Sequence, residues 1–249
     1  FEFDKIFFIG DLLTYGTHIN DTLEKLISFS LKNKVEFILG NHDEMYHQLI
    51  IRQESSYFDK LPDWIKLSVD LTLEKLDKKL YQSIKMNNFY ILGQSLICHA
   101  NSLILDSSNK NKWIYIDSLE SYKEEADRLK GLNFKLAVYG HTHRRKIFFY
   151  EKFQKIFFNE TPNFEKYTFD LSKSSPLILN AGSIGQPRSH NDLDCAWLFF
   201  KEDLNNNIYQ INYINFEYDI DRYLKSIDNQ FSSNLECAEK IKSFFTRYA

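Results

Sequence analysis

Two short apolar runs close on a glycine and hand over at once to polar residues: KIFFIG-D at 5–11 and VEFILG-NHD at 35–43. Between them, DTLEKLISFSLK (21–32) spaces Leu23, Leu26, Ile27 and Leu31 at helical intervals behind Asn20 or Asp21 as the cap. Short runs of aliphatic and aromatic residues suit strands buried on both faces, and a helix joining two of them is the crossover of a parallel sheet. Residues 5–40 therefore read as one β-α-β unit of an α/β protein. In such sheets ligands bind in the crevice beyond the carboxyl ends of the strands. Those ends carry Asp11 and the run Asn41, His42, Asp43.

The same arrangement recurs downstream. NNFYILGQSLICHA (87–100) reads as a hairpin turning near Gly93, with its second strand ending at His99. SLESYKEEADRLKGL (118–132) has an amphipathic helical period that closes near Gly131, and FKLAVYGHTH (134–143) delivers His141 and His143 from a strand end. Residues 44–87 carry no strand signal and predict two or three helices, an insertion within a single domain spanning 1–249. Beyond residue 145, KIFFYEKFQKIFFN, KYTFDL, CAWLFFKED and NIYQINYINFEYD read as antiparallel strands. PLILNAGSIGQPR turns through Gly182 and Gly185, and DIDRYLKSI opens a C-terminal helix.

Composition narrows the function by exclusion. At 249 residues and 43% hydrophobic, the chain can bury a sizeable core. A net charge of −3 offers no basic field for nonspecific nucleic-acid binding. Cys98, Cys195 and Cys237 have no C-x-x-C spacing, so neither a disulfide framework nor a thiolate metal site is indicated. No apolar run approaches the roughly 18 residues of a membrane span, and no signal-peptide pattern opens the sequence. These features fit a cytoplasmic protein.

Carboxylate, amide oxygen and imidazole on separate segments suit a borderline or hard divalent ion, with Mn, Fe, Zn and Ni as the candidates. A lone Asp after a strand is usually a cap, and GNHD alone could be a turn. The combination of Gly10-Asp11, Gly40-Asn41-His42-Asp43, His99 and Gly140-His141-Thr142-His143 favours ligands. His18, His47 and His190 fit no motif position and are expected to be solvated or locally hydrogen bonded. Strand alternation sends Cys98 to the face opposite His99, into the core.

The order GD, GNHD, a lone H and GHTH resembles the calcineurin-like metallophosphoesterase superfamily, in its small bacterial and archaeal branch of phosphodiesterases and phosphatases. GDLLTYG, LNAGSIGQPR and the late FEYDI extend that likeness. The resemblance implies a four-layer α/β/β/α sandwich and two divalent ions, Mn foremost. It implies that Asp11 bridges the two ions, that Asn41, His99 and His141 complete one site, and that His143 serves the other. Metal-bound hydroxide would hydrolyse a phosphomonoester or phosphodiester, with His42 assisting the leaving group and Asp43 orienting His42. Arg188 is a candidate phosphate clamp and Asn101 a candidate substrate contact. The superfamily's opening D-x-H is missing, since Asp4 is followed by Lys5 and Ile6. Together with the absent methionine this leads us to expect that a first strand, bearing D-x-H, precedes Phe1 in the native protein. The alternative is a catalytically inactive binding scaffold on the same fold; the missing motif favours it and the retained His42 opposes it.

Overall fold

The computed structural model describes residues 3–150, 156–159, 162–163, 165–170, 176–188, 195–203, 208–217 and 219–246. In chain order the elements are β1 (Ile6–Ile9), α1 (Ile19–Ser30), β2 (Val35–Ile38), α2 (Asn41–Ile50), α3 (Ser56–Asp59), α4 (Asp63–Lys75), α5 (Lys78–Ser83) and β3 (Met86–Asn87). There follow β4 (Phe89–Leu92), β5 (Ser95–Cys98), α6 (Leu119–Gly131), β6 (Leu136–Tyr139), β7 (Arg145–Tyr150) and β8 (Ile156–Asn159). The chain continues with β9 (Lys166–Asp170), β10 (Leu177–Ala181), β11 (Cys195–Asp203), β12 (Ile208–Phe216), α7 (Ile220–Gln230) and α8 (Leu235–Thr246). They divide into two compact units, one of Phe1–Asn88 with Asp219–Ala249, the other of Phe89–Tyr218. Among the described residues no helix is long and apolar enough to cross a membrane.

The first unit is built on a parallel sheet of order β1-β2-β3, with Phe8 opposite Phe37 and Phe37 opposite Met86. Helix α1 is the crossover predicted between β1 and β2. Its buried Ile19 and Leu23 join Phe37, Met45, Tyr46, Val69, Leu76, Tyr81 and Ile84 in one core. Each such aliphatic side chain contributes about 1.5–3 kcal/mol on full burial. The helix starts at Ile19 rather than at Asp21, with His18 as its N-cap. Asn20, expected as a cap, accepts from the backbone of Asp77 and donates to Lys75 O, tying α1 to the turn between α4 and α5. The predicted helices of 44–87 are four, the first reaching back to Asn41, and they are followed by the two-residue strand β3, which has no sequence signal of its own. The C-terminal helices α7 and α8 pack Ile227, Phe231, Cys237 and Ile241 inward.

The second unit stacks a helix and two sheets. The larger sheet has the order β4-β5-β6-β10-β7-β8, parallel across β5, β6 and β10 and antiparallel outside them. Period-2 alternation sends Leu96, Cys98, Ala137, Tyr139 and Ile178 to the face covered by Tyr122, Ala126 and Leu129 of α6. The opposite face meets the sheet β11-β12-β9, where Tyr213 donates to Asn180 O at 2.6 Å and Phe149 stacks edge-on to Phe169. The end of α6 is set by Asn133 at φ +63°, not by Gly131: the Phe134 N–H reaches Leu129 O and the Asn133 N–H reaches Lys130 O, a Schellman closure. Glu125 of α6 is fully buried yet satisfied, accepting from Ser102 N, Arg128 and the Tyr139 hydroxyl, so it pins the segment just after His99.

Candidate functional site

The first unit gathers Asp11, Asn41, His42 and Asp43 where β1 and β2 end. Gly40 is the N-cap of α2 and Asn41 its first residue, so the GNHD segment opens a helix. Asp43 lies one turn in and takes over the cap. Its carboxylate accepts from Gly40 N (2.9 Å), Asp11 N (2.7 Å) and Leu12 N (3.1 Å), with the Tyr81 hydroxyl 3.4 Å away. A negative charge in the first turn also suits the helix dipole. Burial, then the charge of Asp43, pushes the Tyr81 phenol far up, which keeps it a donor.

Asp11 Oδ1 accepts in turn from the His42 backbone N–H at 3.0 Å. This approach depends on Gly40, where a Cβ would stand 2.2 Å from Asp11 Oδ1. The backbone is unusual along the β1 loop: Gly10, Asp11, Thr14 and Tyr15 all have positive φ. For the β-branched Thr14, at +85°, this is a true outlier, of a kind that clusters at functional sites. Its hydroxyl lies 3.0 Å from His42 Nδ1, the Tyr57 hydroxyl lies 3.3 Å from Nε2, and Tyr15 meets the ring edge-on. His42 is 5% exposed. Sequence reasoning missed both as partners of His42: Thr14 lies within GDLLTYG, but that segment does not single it out, and Tyr57 stands in no motif.

The second unit brings His99 and His141 together, with His99 Nε2 and His141 Nδ1 3.0 Å apart. His141 Nε2 lies 3.0 Å from Trp113 O. A carbonyl only accepts, so this nitrogen bears the proton and Nδ1 presents its lone pair toward His99. By the same reasoning His143, whose Nδ1 is 3.0 Å from Gln186 O, presents Nε2. The 3.0 Å approach puts two imidazole nitrogens where both could serve one cation, and Trp113 O holds His141 in the tautomer that role needs. The donor set fits a divalent cation. His143 also adopts φ +56°.

Two substrate candidates take different places. Arg188 leans over Gln186 Oε1 (2.7 Å) and the Tyr115 hydroxyl (3.3 Å), with its N–H on His143 O. Asn101 is fully buried, and its amide faces the carbonyls of Asn111, Lys112 and Ile114 at 3.0–3.4 Å. It braces the loop that supplies Trp113 O. Cys98 is core, as strand alternation requires. His47 is not simply solvated: its half-buried ring lies against Tyr81 at 5.1 Å. His18 is exposed, and His190 lies outside the described residues.

Comparison with known proteins bears on all of this. A metallophosphoesterase from Sphaerobacter thermophilus has a similar structure, with a TM-score of 0.65 at 19% identity, over 98% of this chain and 90% of that one. That likeness shows a shared mixed α/β fold. No curated protein sequence matches the chain. The family model for calcineurin-like phosphoesterases matches residues 2–145, which hold the GD, GNHD, His99 and GHTH segments. The chain thus belongs to the calcineurin-like phosphoesterase family.

Proposed function

We propose that this chain is a binuclear metal-dependent hydrolase of phosphomonoesters or phosphodiesters, of the small phosphodiesterase-phosphatase branch, built as a four-layer α/β/β/α sandwich and working in the cytoplasm. Asp11, Asn41, His99, His141 and His143 hold two divalent ions, Mn foremost. When bound, such ions supply an acidified water and positive charge against the phosphoryl oxygens. The order of the motifs along the chain supports this ligand set, as do the tautomers that Trp113 O and Gln186 O impose on His141 and His143. His42 gives its proton to the leaving alkoxide oxygen as the P–O bond breaks, a contribution of about 100- to 10,000-fold. Arg188 grips the phosphoryl group as a planar double donor.

The observation that carries the reading is the brace made by Asp43. One carboxylate holds the backbone of Asp11 and the N-terminus of the helix bearing His42, so a metal-ligand carboxylate and a proton donor share one rigid junction. Hydrolysis of 4-nitrophenyl phosphate and bis(4-nitrophenyl) phosphate with added Mn²⁺ tests it. Activity that disappears in Asp11→Ala is the expected result. Failure on both esters with Mn, Fe, Zn and Ni alike would sink the proposal.

A further inference from the structure

Beside the GHTH segment, wholly within the second unit, lies a cavity of about 240 Å³ lined by Tyr115, Asp117, Thr142, Arg144 and Arg188. It borders the proposed ligands directly: Tyr115 stacks on His141 with ring centres 4.1 Å apart, and Arg188 N donates to His143 O. Its volume falls below the roughly 300 Å³ at which pockets begin to take a whole drug-sized ligand. It suits one substituent of a larger molecule.

The lining is cationic and rich in donors. Its two guanidiniums face one carboxylate, and that carboxylate is occupied: Asp117 Oδ2 accepts from Arg144 Nη1 at 2.5 Å and Oδ1 from Lys146 at 2.7 Å. Burial raises the Asp117 pKa, but the hydrogen bonds and charges of Lys146 and Arg144 outweigh it and hold the group below the usual carboxylate range. Arg144 spends Nε on Arg188 O and Nη1 on Asp117, while its Nη2 has no hydrogen-bond partner among the described residues. Gln186, which holds Arg188 through Oε1, has a buried Nε2 with no partner among the described residues either. Donors in excess of acceptors, under a net positive charge, call for an anion with several acceptor oxygens.

We propose that this cavity binds a second phosphate carried by the leaving group, so that the preferred substrates are phosphoesters or phosphoanhydrides whose leaving group is itself phosphorylated. This rests on the phosphoesterase reading and adds a substrate class to it. Arg144 grips the second phosphate through Nη2, and Asp117 with Arg188 O fixes the guanidinium plane.

The test compares ADP, whose leaving group AMP carries a phosphate, with 4-nitrophenyl phosphate, whose leaving group carries none, on the Mn²⁺-loaded chain. Arg144→Met should lower kcat/KM for ADP about tenfold or more, mainly through KM, while the simple ester changes by less than about twofold. Arg144→Lys keeps a charge for Asp117 but lacks Nη2, and should show the same selective loss should the Met variant fail to fold. Equal losses on both substrates, or none on either, would overturn the proposal.

Calorimetric titration of AMP, adenosine and inorganic phosphate into the metal-free chain supplies an independent readout. AMP binding that exceeds both controls and weakens about tenfold in Arg144→Lys supports the subsite even if neither ester is hydrolysed, in which case only the enzymatic reading falls. Inorganic phosphate binding as tightly as AMP would assign the cavity to the free ion and overturn the substrate assignment. No AMP binding would overturn the subsite itself.

Discussion

The hydroxyl of Thr14 lies 3.0 Å from Nδ1 of His42, and the residue that makes this contact sits at a backbone angle that β-branched side chains avoid. The loop after β1 thus accepts strain at the point where it touches the proposed proton donor. Replacing Thr14 by Val keeps shape and branching and deletes the hydrogen bond. A loss of about 1 kcal/mol, or three- to tenfold in kcat, is expected with unchanged metal content, and Thr14→Ser should stay near wild type. Steady-state kinetics with metal analysis checks both variants.

Gly40 is required for space, since its φ of −96° is open to any residue. A Cβ there would stand 2.2 Å from Asp11 Oδ1 and 2.5 Å from Asp11 N. Gly40→Ala should push Asp11 away and break its bond to His42 N, at a cost of about 1–3 kcal/mol or more in stability. Urea unfolding reads that loss, and a metal titration should show weaker binding in the same variant.

Asn101 should behave as a loop brace. Asn101→Ala leaves three backbone carbonyls of residues 111–114 without their shared donor and loosens Trp113 O, the partner of His141. Metal affinity should fall by about 10- to 100-fold, the range for lost outer partners of ligating histidines. Nitrogen NMR of the metal-free protein should show His141 losing its single tautomer, a change that a substrate-contact role would not produce.

His47 supplies a pH-dependent term. Burial lowers its pKa from the ordinary 6.5, so the folded chain resists a proton that the unfolded chain accepts. Stability should therefore fall as pH drops from about 7 through the lowered folded value and level off below it. His47→Gln should flatten that part of the profile relative to wild type in melting curves recorded between pH 7 and 5.

What the sequence conveyed was whatever repeats locally. The β1-α1-β2 unit, the hairpin at Gly93, α6 and the strand leading to His141 all carry unbroken apolar runs or a clean helical period, and all are present. The losses share a cause, which is side chains acting across long separations. Asn20 looked like a cap because its use by Asp77 is 57 residues away. Thr14 and Tyr57 meet His42 from 28 and 15 residues off. The turn of the Asn101 carboxamide toward residues 111–114 was equally hidden, because position alone does not say which way a carboxamide points. GNHD is ambiguous for a related reason: in Asp43 a side chain serves as a helix cap, and polar turn residues and cap residues are the same few types.

The brace at Asp43 also shapes how the first unit can come apart. Gly40, Asp11 and Leu12 share one acceptor group, so their amide protons become exposed in a single opening event rather than three. A chain that has lost this junction keeps neither its carboxylate nor its imidazole in place, and partial melting there would yield inactive molecules with most of their helices intact.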